Sequence, residues 1–129
     1  MSGRVIALST VGSAEDADRL ARALVERGLA ACVNVVPGVV SHYRWKGALC
    51  RDEERLLVIK TRAERMGPLR AAIAELHPYE LPELVVLRIS GGSEAYLAWL
   101  DESVLSASTG RPGPVRGRRR GRPRLRSPR

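Results

Sequence analysis

The residues with the clearest chemical potential lie in one short run, His77-Pro78-Tyr79-Glu80-Leu81-Pro82-Glu83. An imidazole followed closely by two carboxylates can ligate a divalent transition metal, and copper is favoured on affinity. A metal here would be held by His77 with Glu80 or Glu83, completed by another subunit. His77 also has a purely structural reading. It closes a helix ahead of a proline, where an imidazole interacts favourably with the last helical carbonyls. Both readings stand at this level.

A second group comprises Tyr43, Trp45, Glu54, Lys60 and Tyr79, with Glu83. Glu54 and Lys60 are six residues apart on one strand, hence on one face, across from the arm carrying Tyr43 and Trp45. An aromatic wall with one acid and one base forms either a small-ligand pocket between subunits or an interface ion pair packed under aromatics. No glycine-rich phosphate loop accompanies it. The thiols Cys32 and Cys50 are further candidate ligands. Cys32 reads alternatively as a small buried hydrophobe, and Cys50, near a hairpin tip, as an exposed thiol open to soft metals. His42 falls on a polar face. The sequence holds no HExxH, Walker or GxGxxG pattern and no recognisable nucleophile–base spacing, so it is not read as an enzyme.

These side chains are positioned by the run Ala30–Thr61, which reads as two long antiparallel strands joined by a turn near Gly47. From Val39 the first arm alternates, with Ser41, Tyr43 and Trp45 on one face and His42, Arg44 and Lys46 on the other. Pro37-Gly38 interrupts it, which predicts a bulge. Seventeen residues from Ala30 to Lys46 reach on the order of 55 Å at strand rise. Such a ribbon overshoots its own domain and predicts pairing outside its subunit. The return arm, Arg55–Ile59, is apolar enough to be covered on both faces.

Around the hairpin the pattern predicts a strand at Arg4–Val11, then a helix capped by Ser13, striped by Ala17, Leu20, Ala21, Leu24 and Val25, and ended by Gly28. A second helix spans about Glu64–His77 with Pro68 in its first turn. A strand follows at Leu84–Ile89, and a last helix buries Tyr96, Trp99, Leu100 and Val104. This is an α+β, ferredoxin-like βαββαβ sandwich with an extra C-terminal helix, its helices on one sheet face and subunit association covering the other.

The chain has 22 Lys and Arg against 14 Asp and Glu, a net charge of +8. Nine of the arginines and none of the acids lie in residues 106–129, so residues 1–105 hold 13 basic and 14 acidic groups and are nearly neutral. The division is a folded domain over 1–105 and a disordered Arg/Gly/Pro-rich tail over 106–129. The tail either binds nucleic acid or another acidic partner without reading sequence, or is a solvated extension. Two cysteines are too few for a disulfide scaffold, and no apolar run suffices for a membrane span. A cytoplasmic chain with reduced thiols is the expectation.

The stretches Ala31-Cys-Val-Asn34, Pro37, Ser41-x-Tyr43-x-Trp45-x-Gly47, Glu54, Ile59-Lys-Thr61, His77-Pro-Tyr79, Pro82-Glu83 and Tyr96-Leu-x-Trp99 occur with the order and spacing of the CutA family, the divalent-cation tolerance proteins. The resemblance runs from about Val5 to Val104. It implies a ferredoxin-like subunit in a homotrimer with exchanged hairpin arms, and a non-catalytic part in divalent-cation, specifically copper, tolerance. Copper binding in some members is attributed to a first-strand cysteine and a histidine pair before Pro-Tyr. Here those positions are Ser9 and Leu76-His77, so one of the three ligands is present. A likeness in fold to the trimeric PII signalling proteins implies the alternative of a small-ligand sensor with pockets between subunits.

Overall fold

The computed structural model describes residues 3–108; the expectations for the Arg-rich segment beyond them lie outside the described residues. The elements are β1 (Arg4–Val11), α1 (Ala14–Glu26), β2 (Cys32–Trp45), β3 (Ala48–Arg62), a 3₁₀ turn (Ala63–Arg65), α2 (Met66–Leu76), β4 (Val85–Arg88) and α3 (Glu94–Ser108). The four strands form one antiparallel sheet in the order β2-β3-β1-β4. The α+β ferredoxin-like arrangement of the sequence is therefore the observed one.

Alternation along β1 decides which face becomes the core. Val5, Ala7, Ser9 and Val11 are buried, while Ile6, Leu8 and Thr10 between them are half-buried. Leu57 and Ile59 of β3, Leu20 and Leu24 of α1, and Leu69 and Ile73 of α2 complete a layer in which each large side chain is sealed. Each such side chain stabilises the fold by roughly 2 kcal/mol through burial. Ser13 caps α1 by accepting the Asp16 amide at 3.0 Å, and Gly28, at φ 72°, ends it in the left-handed region. Val25, counted in the predicted stripe, is exposed.

Two expectations are corrected. The second helix begins at Met66, after a separate 3₁₀ turn, which puts Pro68 in its first turn. The third helix does not share a face with the other two. Asp101 of α3 binds Arg4 and Arg62, paired residues of β1 and β3 that point away from the core. Leu100 and Val104 of α3 are buried against Ala31 in a separate small cluster. An apolar helical stripe shows that a helix packs but not on which side of the sheet, so the pattern carried no sign of this. Helix α3 runs to Ser108.

The rest of that second face is open and apolar. Ile6, Leu8, Leu56 and Val58 are half-buried, and Val36, Val85 and Leu87 are 40–50% exposed. The strongly apolar β3 is thus sealed on one side only.

The hairpin overshoots as expected. Strand β1 pairs with β3 only at Arg55–Arg62, so Val39–Trp45 and Ala48–Glu54 continue as a two-stranded ribbon. Its seven residues per arm project about 23 Å. The bulge falls at Pro37-Gly38: Val36 faces Leu56 and Val39 faces Glu54, three steps against two. The tip turns through Lys46 and Gly47, both at positive φ, the two-residue geometry that matches strand twist.

Candidate functional site

The site lies where the ribbon leaves the sheet. Helix α2 stops at His77, whose extended conformation (φ −79°, ψ 135°) is the one a following proline imposes. The chain then runs back past the end of β1. His77 is buried, and both its ring nitrogens are engaged within the chain. Nε2 lies 2.8 Å from the Thr10 carbonyl, which can only accept, so Nε2 carries the proton. Nδ1 accepts the Tyr79 amide at 3.1 Å. The imidazole packs edge-on against the Tyr79 ring, with centroids 4.7 Å apart. These contacts stitch the 77–83 segment to β1 and aim Tyr79 at the hairpin.

Tyr79 donates from its hydroxyl to Glu54 Oε2 at 2.5 Å. Burial, then this bond to a carboxylate, pushes its phenol well above the ordinary tyrosine range. Glu54 is only 6% exposed. On the ribbon, Tyr43 donates to Asp52 in the same way, and that bond is the main cause pushing its phenol up to about 12. Gly12 leaves room for this arrangement, since a Cβ there would stand 3.2 Å from the Tyr79 oxygen. Thr10 Oγ1 donates to Glu83 at 3.4 Å.

Between ribbon and segment opens a cavity of about 660 Å³, within the usual range for small-molecule sites. Tyr43, Trp45 and Tyr79 give it aromatic walls, and Asp52, Glu54, Glu80 and Glu83 give it four carboxylates. Among the described residues no Lys or Arg lines it.

Of the residues singled out in the sequence, Tyr43, Trp45, Glu54, Tyr79, Glu80 and Glu83 come together here. His77 supports the cavity from behind without lining it. Lys60 is absent from it. Although on the same strand face as Glu54, it stands near the far end of β3, its ammonium 5.8 Å over the Tyr96 ring of α3; six residues of strand span about 20 Å. Cys32 and Cys50 are free, half-buried thiols outside the cavity, neither sealed nor fully exposed. His42, assigned to the polar face, also borders the cavity. Asp52 was missed, although a two-residue turn at 46–47 pairs it with Ser41 and so places it on the face of Tyr43.

A copper ion does not fit the expected donors as they stand. The His77 nitrogens are occupied, and Ser9, at the first-strand position, is sealed in the core with no hydrogen-bond partner for its hydroxyl. Among the described residues no three His, Cys, Asp or Glu side chains converge on a point that could hold a metal ion.

Residues 5–103 match the family model for the CutA1 divalent ion tolerance protein. The chain belongs to the CutA1 family. The divalent-cation tolerance protein CutA of Thermus thermophilus is 48% identical over 98 residues, covering 76% of this chain and 95% of that protein. The chloroplastic CutA of Arabidopsis thaliana is 43% identical over 99 residues, but the chain spans only 54% of its length. Among solved structures, the Thermus thermophilus CutA1 aligns with a TM-score of 0.76 at 47% identity, covering 78% of this chain and 97% of that one. The periplasmic divalent cation tolerance protein CutA of Archaeoglobus fulgidus aligns with a TM-score of 0.76 at 34% identity, covering 78% and 98%. Among the described residues no helix is long and apolar enough to cross a membrane.

Proposed function

We propose that this CutA1-family chain is a non-catalytic homotrimer whose part in divalent-cation tolerance is to hold a positively charged ligand, stoichiometrically, in the acidic cavity. The observation that carries this reading is the cavity's charge: four carboxylates, one of them buried, with no Lys or Arg among the described residues lining it and the His42 imidazole as its one basic neighbour there. A buried carboxylate without a cationic partner is costly to maintain, and a bound cation removes that cost. The trimer is supported by the open apolar face of the sheet and by the projecting ribbon, which together leave more surface uncovered than a monomer retains. We place it in the cytoplasm, in keeping with two unbridged thiols.

Copper is the cation for which the family resemblance speaks. With the His77 nitrogens occupied, Cu(II) is left with carboxylate oxygens and the bordering His42 imidazole, donors that among the described residues do not converge in a group of three and so make a weak site. The test is an equilibrium titration of Cu(II) against a competing chelator, using the full chain, His77→Ala and Glu54→Gln. The proposal requires loose binding that salt screens, that Glu54→Gln weakens and that His77→Ala leaves in place. Tight binding at one ion per subunit, abolished in His77→Ala, would replace it with a histidine-centred copper site.

A further inference from the structure

The cavity's carboxylates surround it without converging. A metal ion needs several donors at one point, and among the described residues no such group of three exists. Yet Asp52 and Glu54 line the cavity from the hairpin, Glu80 and Glu83 from the segment after α2, and the rings of Tyr43, Trp45 and Tyr79 share the walls. Separated anionic groups with aromatic surface between them match a ligand whose positive charges are themselves separated by an apolar stretch.

Glu54 supplies an independent indication. It is 94% buried (6% exposed), and only its Oε2 has a partner among the described residues, the Tyr79 hydroxyl. Among the described residues its second oxygen has no hydrogen-bond partner and is not sealed off, and no ion pair there includes it. The phenols of Tyr43 and Tyr79 already donate to carboxylates, which leaves their ring faces as apolar surface. Ring faces attract ammonium and guanidinium groups, and free carboxylate oxygens accept from the same groups in strong charge-assisted bonds. The volume of about 660 Å³ exceeds what a hydrated ion requires and suits a small organic molecule.

We infer that the cavity binds a small organic dication, two ammonium or guanidinium groups joined by an apolar spacer, with Glu54 receiving one charged end and the Trp45 and Tyr79 rings covering the spacer. The inference rests on the cation-holding reading above and names the class of cation.

Calorimetric titration of the full chain tests it, with 1,4-diaminobutane, n-butylamine and Mg(II) as probes and with Glu54→Gln and Trp45→Ala as variants. Glu54→Gln keeps an acceptor for Tyr79, and Trp45 stands on the projecting ribbon, so circular dichroism serves to confirm that both fold. The diamine is expected to bind once per subunit, about tenfold or more tighter than butylamine, with Glu54→Gln losing about tenfold and Trp45→Ala several-fold. Equal binding of diamine and monoamine, or indifference to Glu54→Gln, overturns the inference. Glu54-dependent binding of Mg(II) or Cu(II) with none of the diamine overturns it while leaving the cation-holding reading in place. Failure of every cation to bind in a Glu54-dependent way overturns both.

Discussion

Replacing His77 by alanine removes two hydrogen bonds and one ring contact at once. The bond to the Thr10 carbonyl at 2.8 Å ties the 77–83 segment to β1, beside the longer Thr10–Glu83 contact at 3.4 Å, and the bond from the Tyr79 amide at 3.1 Å fixes the turn after the helix. Each bond stabilises by about 1 kcal/mol, and a buried partner left unmatched adds to the loss. The edge contact with Tyr79 contributes about 0.5–1 kcal/mol more. His77→Ala is therefore expected to destabilise the protein by about 2–3 kcal/mol. His77→Gln, which keeps an N–H able to reach Thr10, should recover about half of that loss. The assay is urea unfolding at matched protein concentration, because assembly would make the midpoint concentration-dependent. A loss under about 0.5 kcal/mol for the alanine variant, or no recovery by glutamine, would refute the reasoning that His77 is a stitch.

Three further outcomes follow from the same contacts. Asp101 accepts from Arg4 and Arg62, and the Arg4 bond foremost lowers its carboxyl from 3.8 to about 2. A lowered carboxylate stabilises the fold above its unfolded value and ceases to do so as pH falls through the folded one, so stability should fall between about pH 4 and about pH 2. The shift is worth up to about 2 kcal/mol, and screening at partly exposed pairs cuts this to about 1 kcal/mol; Asp101→Asn should lose that amount at neutral pH and flatten the acid limb, as read by unfolding at stepped pH. Ser9→Ala should raise stability by about 1 kcal/mol in the same assay, because it removes a buried hydroxyl without a partner. In the proposed trimer the open sheet face is covered, so Leu87→Asp on it should shift the mass measured by light scattering toward monomer while leaving the subunit folded.

Much of this was legible in the sequence wherever the determinant is local. Alternation gave the shared face of Tyr43 and Trp45, Pro37-Gly38 gave the bulge, and the helix stops at Gly28 and His77-Pro78 stand where their backbone chemistry puts them. What escaped depends on contacts between segments far apart in the chain. The face taken by α3 is decided by Asp101 meeting Arg4, 97 residues away. The occupation of both His77 nitrogens is decided by the fold-back onto Thr10, 67 residues away. Lys60 illustrates the limit of face arguments: period-two alternation assigns a side of the sheet but not a position along the strand, and α3 captured it at the other end.

The most direct measurement is a Zn(II) titration of the isotopically labelled full chain, following the His77 ring nitrogens and the side-chain carboxylates by NMR. If the cation is held at the cavity and His77 is structural, the carboxylate signals of Glu54, Glu80 and Glu83 move while the His77 ring keeps its proton on Nε2. A His77 nitrogen shifting to a metal-bound position, with the carboxylates unmoved, would contradict the account at its centre.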